Sequence, residues 1–210
     1  MKKLLHVVAS PRGAKSRTLS VAHAFLERFK EWHPDWLVDE INLFEEELPG
    51  MSARQVDGKY ILLGNKELYG ELREKWAEIE QHIERFKAAS AYLISTPMWN
   101  FTIPYPLKQY LDILVQPSYL FHYVDGRPEG LLTGRRMVVI SSSGGAYTAP
   151  QALPYDHVES YLRTIFGFVG VSDMRFVRVE SLDGVSKKRE LESVAAAQQS
   201  ARDMAEESFG

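Results

Sequence analysis

Three short segments of this chain gather the groups that could do chemistry. The first, Ser10-Pro11-Arg12-Gly13-Ala14-Lys15-Ser16-Arg17-Thr18, follows an apolar run and leads into a helical pattern. A helix start offers unpaired N–H groups and the positive end of the helix dipole. Ser10, Ser16 and Thr18 add hydroxyl donors there, and Arg12, Lys15 and Arg17 add positive charge. The combination suits a phosphate group. It contains neither Gly-x-x-x-x-Gly-Lys-[Ser/Thr] nor Gly-x-Gly-x-x-Gly, which disfavours a nucleoside triphosphate and a Rossmann-type dinucleotide and leaves one phosphate monoester as the better fit. Ser16 has an ordinary alternative role as a helix N-cap.

The second segment, Thr96-Pro97-Met98-Trp99-Asn100-Phe101-Thr102-Ile103-Pro104, brackets aromatic residues between prolines just after an apolar run. Exposed Trp99 and Phe101 would suit a planar apolar ring, with Asn100 and backbone N–H groups for its polar edge. Either aromatic could instead pack beneath a neighbouring loop. The third segment is Ser141-Ser142-Ser143-Gly144-Gly145-Ala146-Tyr147, where paired glycines let backbone donors approach a ligand closely. Gly-Gly is also a common turn. Each segment alone is ambiguous.

What joins them is the order of the elements that must carry them. Leu4 to Ala9 is a nearly continuous apolar run, the pattern of a parallel strand buried on both faces. From Ser16, the residues Leu19, Ala22, Phe25, Leu26 and Phe29 recur at helical spacing. Trp36 to Asn42 is a second strand, and Glu45 to Gly64, with Pro49, Gly50 and Gly58, is a long connection. The stripe Leu68, Leu72, Trp76, Ile79, Ile83, Phe86 predicts a helix over Asn65 to Ala88. Ala91 to Ser95 is a third strand, stopped by Thr96-Pro97; Leu107, Tyr110, Leu111 and Leu114 mark the next helix. Alternating aromatics and Asp125-Gly126 make Tyr119 to Gly134 a small hairpin or projecting loop. Met137 to Ser141 is the fourth strand, Val158 to Phe168 a helix, Met174 to Val179 the fifth strand, and Lys187 to Ala205 the last helix.

Strands alternating with helices over five rounds imply an α/β, doubly wound, flavodoxin-like parallel sheet of five strands with helices on both faces, in the order 2-1-3-4-5. Ligands in such sheets bind outside the carboxyl ends of the strands at the switch point, and the three segments follow the first, third and fourth strands. With 210 residues, 45% of them hydrophobic, the chain suits a single domain.

Composition removes other classes. Lys plus Arg number 25 against 28 Asp plus Glu, a net charge of -3, which gives no basic field for nucleic acid and no polybasic membrane patch. Absence of cysteine excludes disulfides, thiolate catalysis and cysteine-ligated metal sites. No metal is expected, because no His-Glu-x-x-His or carboxylate–histidine cluster occurs at ligand spacing. Residues 1–10 imitate a signal peptide, but His6 interrupts a short apolar run that leads into Arg12 and Lys15; a cytoplasmic, soluble protein is expected. Ser141 to Gly145 lacks a Gly-x-Ser-x-Gly elbow, which disfavours a serine hydrolase. A phospho-acceptor signalling module would need acidic residues where Ala9-Ser10 and Ser95-Thr96 stand.

The motifs Ser-Pro-Arg-Gly with Ser16-Arg17-Thr18, then Pro-Met-Trp-Asn-Phe, then Ser-Ser-Gly-Gly, in that order, resemble the FMN-dependent NADH-azoreductase family of flavodoxin-like NAD(P)H:quinone oxidoreductases. Phe121-His122-Tyr123, Arg127-Pro128-Glu129-Gly130-Leu131 and Phe166-Gly167-Phe168-Val169-Gly170 are similar to further family patterns. The resemblance implies FMN as cofactor and NADH or NADPH as donor. Ser10 and Ser16, Arg17 and Thr18 would hold the phosphate; Pro97, Met98, Trp99, Asn100 and Phe101 would flank the isoalloxazine; Ser142, Ser143, Gly144 and Gly145 would meet its pyrimidine edge. A small-molecule acceptor, quinone or azo compound, follows, as does a homodimer in which Phe121 and Tyr123 line the neighbour's pocket. Trp99 replaces a common tyrosine, Thr18 a frequent serine, and Ser143 an arginine of some members. Hydride chemistry is carried by the flavin, so no catalytic side chain is singled out. The rival is a flavodoxin-like electron carrier without its own small-molecule acceptor.

Overall fold

A computed structural model describes residues 1–64 and 66–207. The central sheet is built from β1 (Lys3–Val8), β2 (Leu37–Asn42), β3 (Ala91–Pro97), β6 (Arg136–Ser142) and β7 (Asp173–Val179), all parallel, in the order β2-β1-β3-β6-β7. That is the order expected from sequence, because β4 (Phe121–Val124) and β5 (Arg127–Gly130) form a separate antiparallel hairpin turning at Asp125-Gly126.

The apolar runs of β1, β3 and β6 are continuous because each strand is covered on both faces. Leu5, Val7, Ile94 and Val139 face a core shared with α3 (Gly70–Lys87), α4 (Tyr105–Leu114) and α5 (His157–Phe168), through Ile79, Ile83, Phe86, Leu111 and Phe166. On the opposite face Leu4, Leu93, Val138 and Ile140 meet α1 (Arg17–Trp32) and α6 (Lys187–Glu207). Here Phe25 and Phe29 pack beside Ala197, Ala201 and Ala205, whose four-residue spacing gives α6 a flat face for α1.

Two expectations need correction. The 45–64 connection contains a helix, α2 (Ala53–Leu63). Gly58 argues locally against helix, at about 1 kcal/mol relative to Ala, but a Cβ there would lie 2.2 Å from Trp76 Nε1, so α2 needs the missing side chain to pack on α3. The helix expected from Asn65 begins at Gly70, since α2 ends at Gly64 and the chain turns before α3; Asn65 itself lies outside the described residues. Leu68 is nevertheless buried in the core.

The hairpin is fixed by a backbone contact that explains two glycine-containing motifs. A Cβ on Gly130 would lie 2.2 Å from Gly170 N, and Gly170 has φ +102. Leu132 N–H donates to Val169 O at 2.9 Å beside that contact. Phe121 packs on Phe168 with ring centroids 4.6 Å apart, while His122 and Tyr123 remain exposed.

Candidate functional site

At the carboxyl end of β1 the chain passes through a single 3-10 turn, Gly13–Lys15, before α1. Ser16 is the N-cap of α1, its Oγ accepting from Leu19 N–H at 3.2 Å. The same Oγ lies 2.8 Å from Ser10 Oγ, so the cap is joined to the end of β1. Among the described residues the N–H groups of Arg17 and Thr18 have no backbone acceptor, as the first turn of a helix requires. Thr18 Oγ1 meets Ser142 Oγ at 2.6 Å, tying this loop to the one after β6.

Arg17 does something different from what its position suggested. Its guanidinium donates from Nε to Glu190 Oε1 at 2.6 Å, so it anchors the first turn of α6. Arg17, with Lys187 second, holds the Glu190 carboxyl below the usual carboxylate range. Arg12 and Lys15 are exposed at the loop surface, and Arg12 lines the adjacent cleft.

After β3, Trp99 N–H donates to Thr102 O at 2.8 Å and Thr102 N–H to Trp99 O at 3.0 Å. The two central residues, Asn100 (φ +48) and Phe101 (φ +71), both take positive φ, as in a type I′ hairpin turn. For phenylalanine this conformation is strained, and such strain concentrates at functional sites. The turn is held by His157 N–H, at the start of α5, donating to Phe101 O at 3.0 Å. Trp99 is 38% and Phe101 49% exposed, which confirms their placement outside the core. Trp99 meets Phe44, and Phe101 meets Tyr147 and Tyr155, with centroids 5.8, 6.2 and 5.9 Å apart.

After β6, Ser143 Oγ–H donates to Gly145 O at 2.8 Å, and Glu180 accepts from Tyr147 N–H and Thr148 N–H at 2.9 and 3.0 Å. The carbonyls of Ser143, Gly144 and Gly145 accept from Leu182, Asp183 and Ser181 N–H. Among the described residues the N–H groups of Gly144 and Gly145 have no backbone acceptor and are available to a ligand.

These loops line a cleft of about 250 Å³ that receives Ser10, Ser16, Arg17 and Thr18 from one side, Pro97, Met98 and Trp99 from the second, and Ser142, Ser143 and Gly144 from the third. Asn100, Phe101 and Gly145 lie in an adjoining open hollow of about 500 Å³ that shares Met98, Gly144 and Asp183 with the cleft. Hydroxyl and N–H donors thus stand at one end and aromatic faces at the other, an arrangement for an elongated molecule with a phosphate and a planar ring. Sequence reasoning missed Leu182 and Asp183, which reach the cleft from the loop after β7. It also assigned the missing Gly144 side chain to the ligand, whereas a Cβ there would fall 2.1 Å from Asp183 Oδ2. Among the described residues no cluster of His, Asp and Glu could hold a metal ion, and no helix is long and apolar enough to cross a membrane.

A doubly wound sheet carrying a phosphate-and-ring cleft at its switch point is the flavodoxin-like class, and residues 2–204 match the family model described as flavodoxin-like fold. A relative from Nitratidesulfovibrio vulgaris (strain DP4), an FMN-dependent NADH:quinone oxidoreductase, is 39% identical over 86% of this chain and 87% of its own. One of the same description from Staphylococcus carnosus (strain TM300) is 32% identical over 95% and 96%. Among solved structures, an azoreductase from Bacillus anthracis str. Sterne superposes with a TM-score of 0.89 at 28% identity, covering 98% of this chain and 99% of that one. An FMN-dependent NADH-azoreductase from Bacillus anthracis str. Ames Ancestor, in complex with FMN, superposes at 0.85 and 28% identity, covering 98% and 100%. The chain belongs to the flavodoxin-like family, among the FMN-dependent NADH:quinone oxidoreductases and azoreductases.

Proposed function

We propose that this chain binds FMN across the three loops and uses it to pass reducing equivalents from NADH or NADPH to a quinone or an azo compound. The observation that carries the reading is the meeting, in one cleft and the hollow that adjoins it, of the α1 N–H groups with Ser10, Ser16 and Thr18, the strained aromatic turn, and the free N–H groups of Gly144 and Gly145. Held by those residues, FMN would supply the hydride and two-electron chemistry that links a nicotinamide donor to the acceptor.

The protein's own residues do the rest. Ser10, Ser16 and Thr18, with the N–H groups of Arg17 and Thr18, hold the phosphate, and Arg17 contributes its backbone while its side chain fixes α6. Pro97, Met98 and Trp99 support the ring, and Asn100 offers its amide to the ring's polar edge. Phe101, backed by Tyr155, and Tyr147 border the open hollow where donor and acceptor would alternate. Ser142, Ser143, Gly144 and Gly145 present the donors that stabilise charge arriving on the pyrimidine side. No side chain is required to move a proton during hydride transfer. Exposed aromatics around the hollow favour this enzyme over a bare electron carrier, whose surface needs no pocket for a small acceptor.

The same reading takes residues 1–210 as one domain, the protein as cytoplasmic, and the working form as a homodimer with the hairpin's Tyr123 beside the partner's pocket. No nucleic acid or membrane partner is called for. Purified protein is expected to take up one FMN per chain and to accelerate quinone reduction by NADH. A protein that retains no FMN after reconstitution and gives no rate above free FMN would contradict the proposal.

A further inference from the structure

Among the described residues Asp183 is the one carboxylate that lines both the cleft and the adjoining hollow. Its Oδ2 lies so close to Gly144 that an added Cβ would sit 2.1 Å away. Asp183 N–H donates to Gly144 O at 3.1 Å, flanked by Ser181 N–H to Gly145 O at 3.2 Å and Leu182 N–H to Ser143 O at 3.4 Å. The segment is bounded by two residues of positive φ, Ser181 (+57) and Gly184 (+69), which turn it onto the glycine loop. The cations nearest in sequence do not neutralise it, because Lys187 joins Arg17 on Glu190. Among the described residues the Asp183 side chain, which is exposed, has neither an ion pair nor a hydrogen bond.

We propose that Asp183 holds down the reduction potential of the bound flavin, making the reduced cofactor a stronger donor to the acceptor; the inference rests on the FMN reading above. Hydride transfer adds two electrons and one proton to the oxidised ring, which leaves the reduced ring one negative charge richer. That charge arrives at the pyrimidine edge, which the reading sets against Gly144 and Gly145. The free N–H groups there favour the charge, and a carboxylate whose backbone is held against the same glycine opposes it. Gly144 therefore has two jobs, offering its N–H and admitting Asp183, and any larger residue would displace the carboxylate. The position acts on the equilibrium of the cofactor and requires no contact with donor or acceptor.

The test is a potentiometric titration of FMN-loaded parent, Asp183→Asn and Asp183→Ser, with FMN affinity measured in parallel. Removing the charge is expected to favour the reduced form by roughly tenfold, a rise of about 30 mV for a two-electron couple. The difference between parent and variants should shrink as salt is raised, because Asp183 is exposed. Two different neutral side chains keep the outcome from depending on one variant's folding. A potential unmoved in both variants, with FMN bound as in the parent, would overturn the role of Asp183 alone. Weakened FMN binding with an unmoved potential would also overturn it, since the carboxylate would then be a cofactor ligand. Failure of the parent itself to take up FMN would overturn both this inference and the reading beneath it.

Discussion

Replacing Thr18 by valine removes one hydroxyl and keeps the shape of a residue that is 1% exposed. In the free protein that hydroxyl meets Ser142 Oγ at 2.6 Å, a neutral hydrogen bond whose loss costs about 1 kcal/mol. With FMN bound, the hydroxyl would turn to a phosphate oxygen, and a bond to a charged group contributes about 2 kcal/mol. Affinity reports the difference between the two states, so FMN should bind weaker by about 1 kcal/mol, roughly fivefold in Kd. The loss in the free protein appears separately, as a fall of roughly 2–4 °C in its melting temperature. Fluorescence titration of apoprotein with FMN gives the first quantity and thermal unfolding of the same sample the second. A melting point that falls while Kd stays unchanged would show that Thr18 serves only to bridge the two loops, and would refute its place in the phosphate site.

The other expectations concern the frame around the cleft. His6 is fully buried, Nδ1 2.9 Å from Glu40 Oε2 and Nε2 2.8 Å from Ser95 Oγ, and burial pushes its pKa below the ordinary 6.5 despite the raising effect of Glu40. The unfolded chain therefore takes up a proton first, so stability is fully present above about 6.5 and declines as pH falls below it, by at most ~1.4 kcal/mol per pH unit. His23 adds to the lowering, and Glu40, itself held low by His6, loses its own contribution only at more acid pH. Denaturant titrations from pH 7.5 to 5 should show a flatter profile for His6→Gln; an equally steep one would place the titrating group elsewhere. Gly58→Ala should lower stability by roughly 1–3 kcal/mol through overlap with the Trp76 indole, and parental stability would mean α2 does not pack as described. Gly130→Ala should cost more than Gly58→Ala, because it meets the Val169 and Gly170 backbone instead of a side chain that can shift; the reverse ranking in chemical denaturation would be inconsistent with that contact.

The sheet and its order were legible because β1, β3 and β6 are buried on both faces and so are largely apolar, and because α3 repeats its core residues at helical spacing. Helix α2 was hidden, since Gly58 reads as a breaker until Trp76 is seen lying against it. The three loops were legible in the candidate site because their hydroxyls, aromatics and glycines each suit a distinct part of one ligand. The Arg17 side chain's anchoring of α6 was not legible, for nothing local shows that its guanidinium would reach Glu190, 173 positions away in sequence. Asp183 was missed for the same reason, although an Asp-Gly pair four residues past an expected strand end was a usable signal. Residues that touch across the fold leave no periodic trace, while residues that share an element do.

The central claim is that one cleft carries electrons from a nicotinamide to a second small molecule. Anaerobic titration of the FMN-loaded protein with NADH, followed by addition of a quinone, tests it in two half-reactions. Loss of the visible flavin absorbance at one NADH per bound FMN, with full recovery on adding one quinone, is the predicted result. Flavin that stays oxidised under NADH and NADPH alike, in protein shown to hold FMN, would contradict the account.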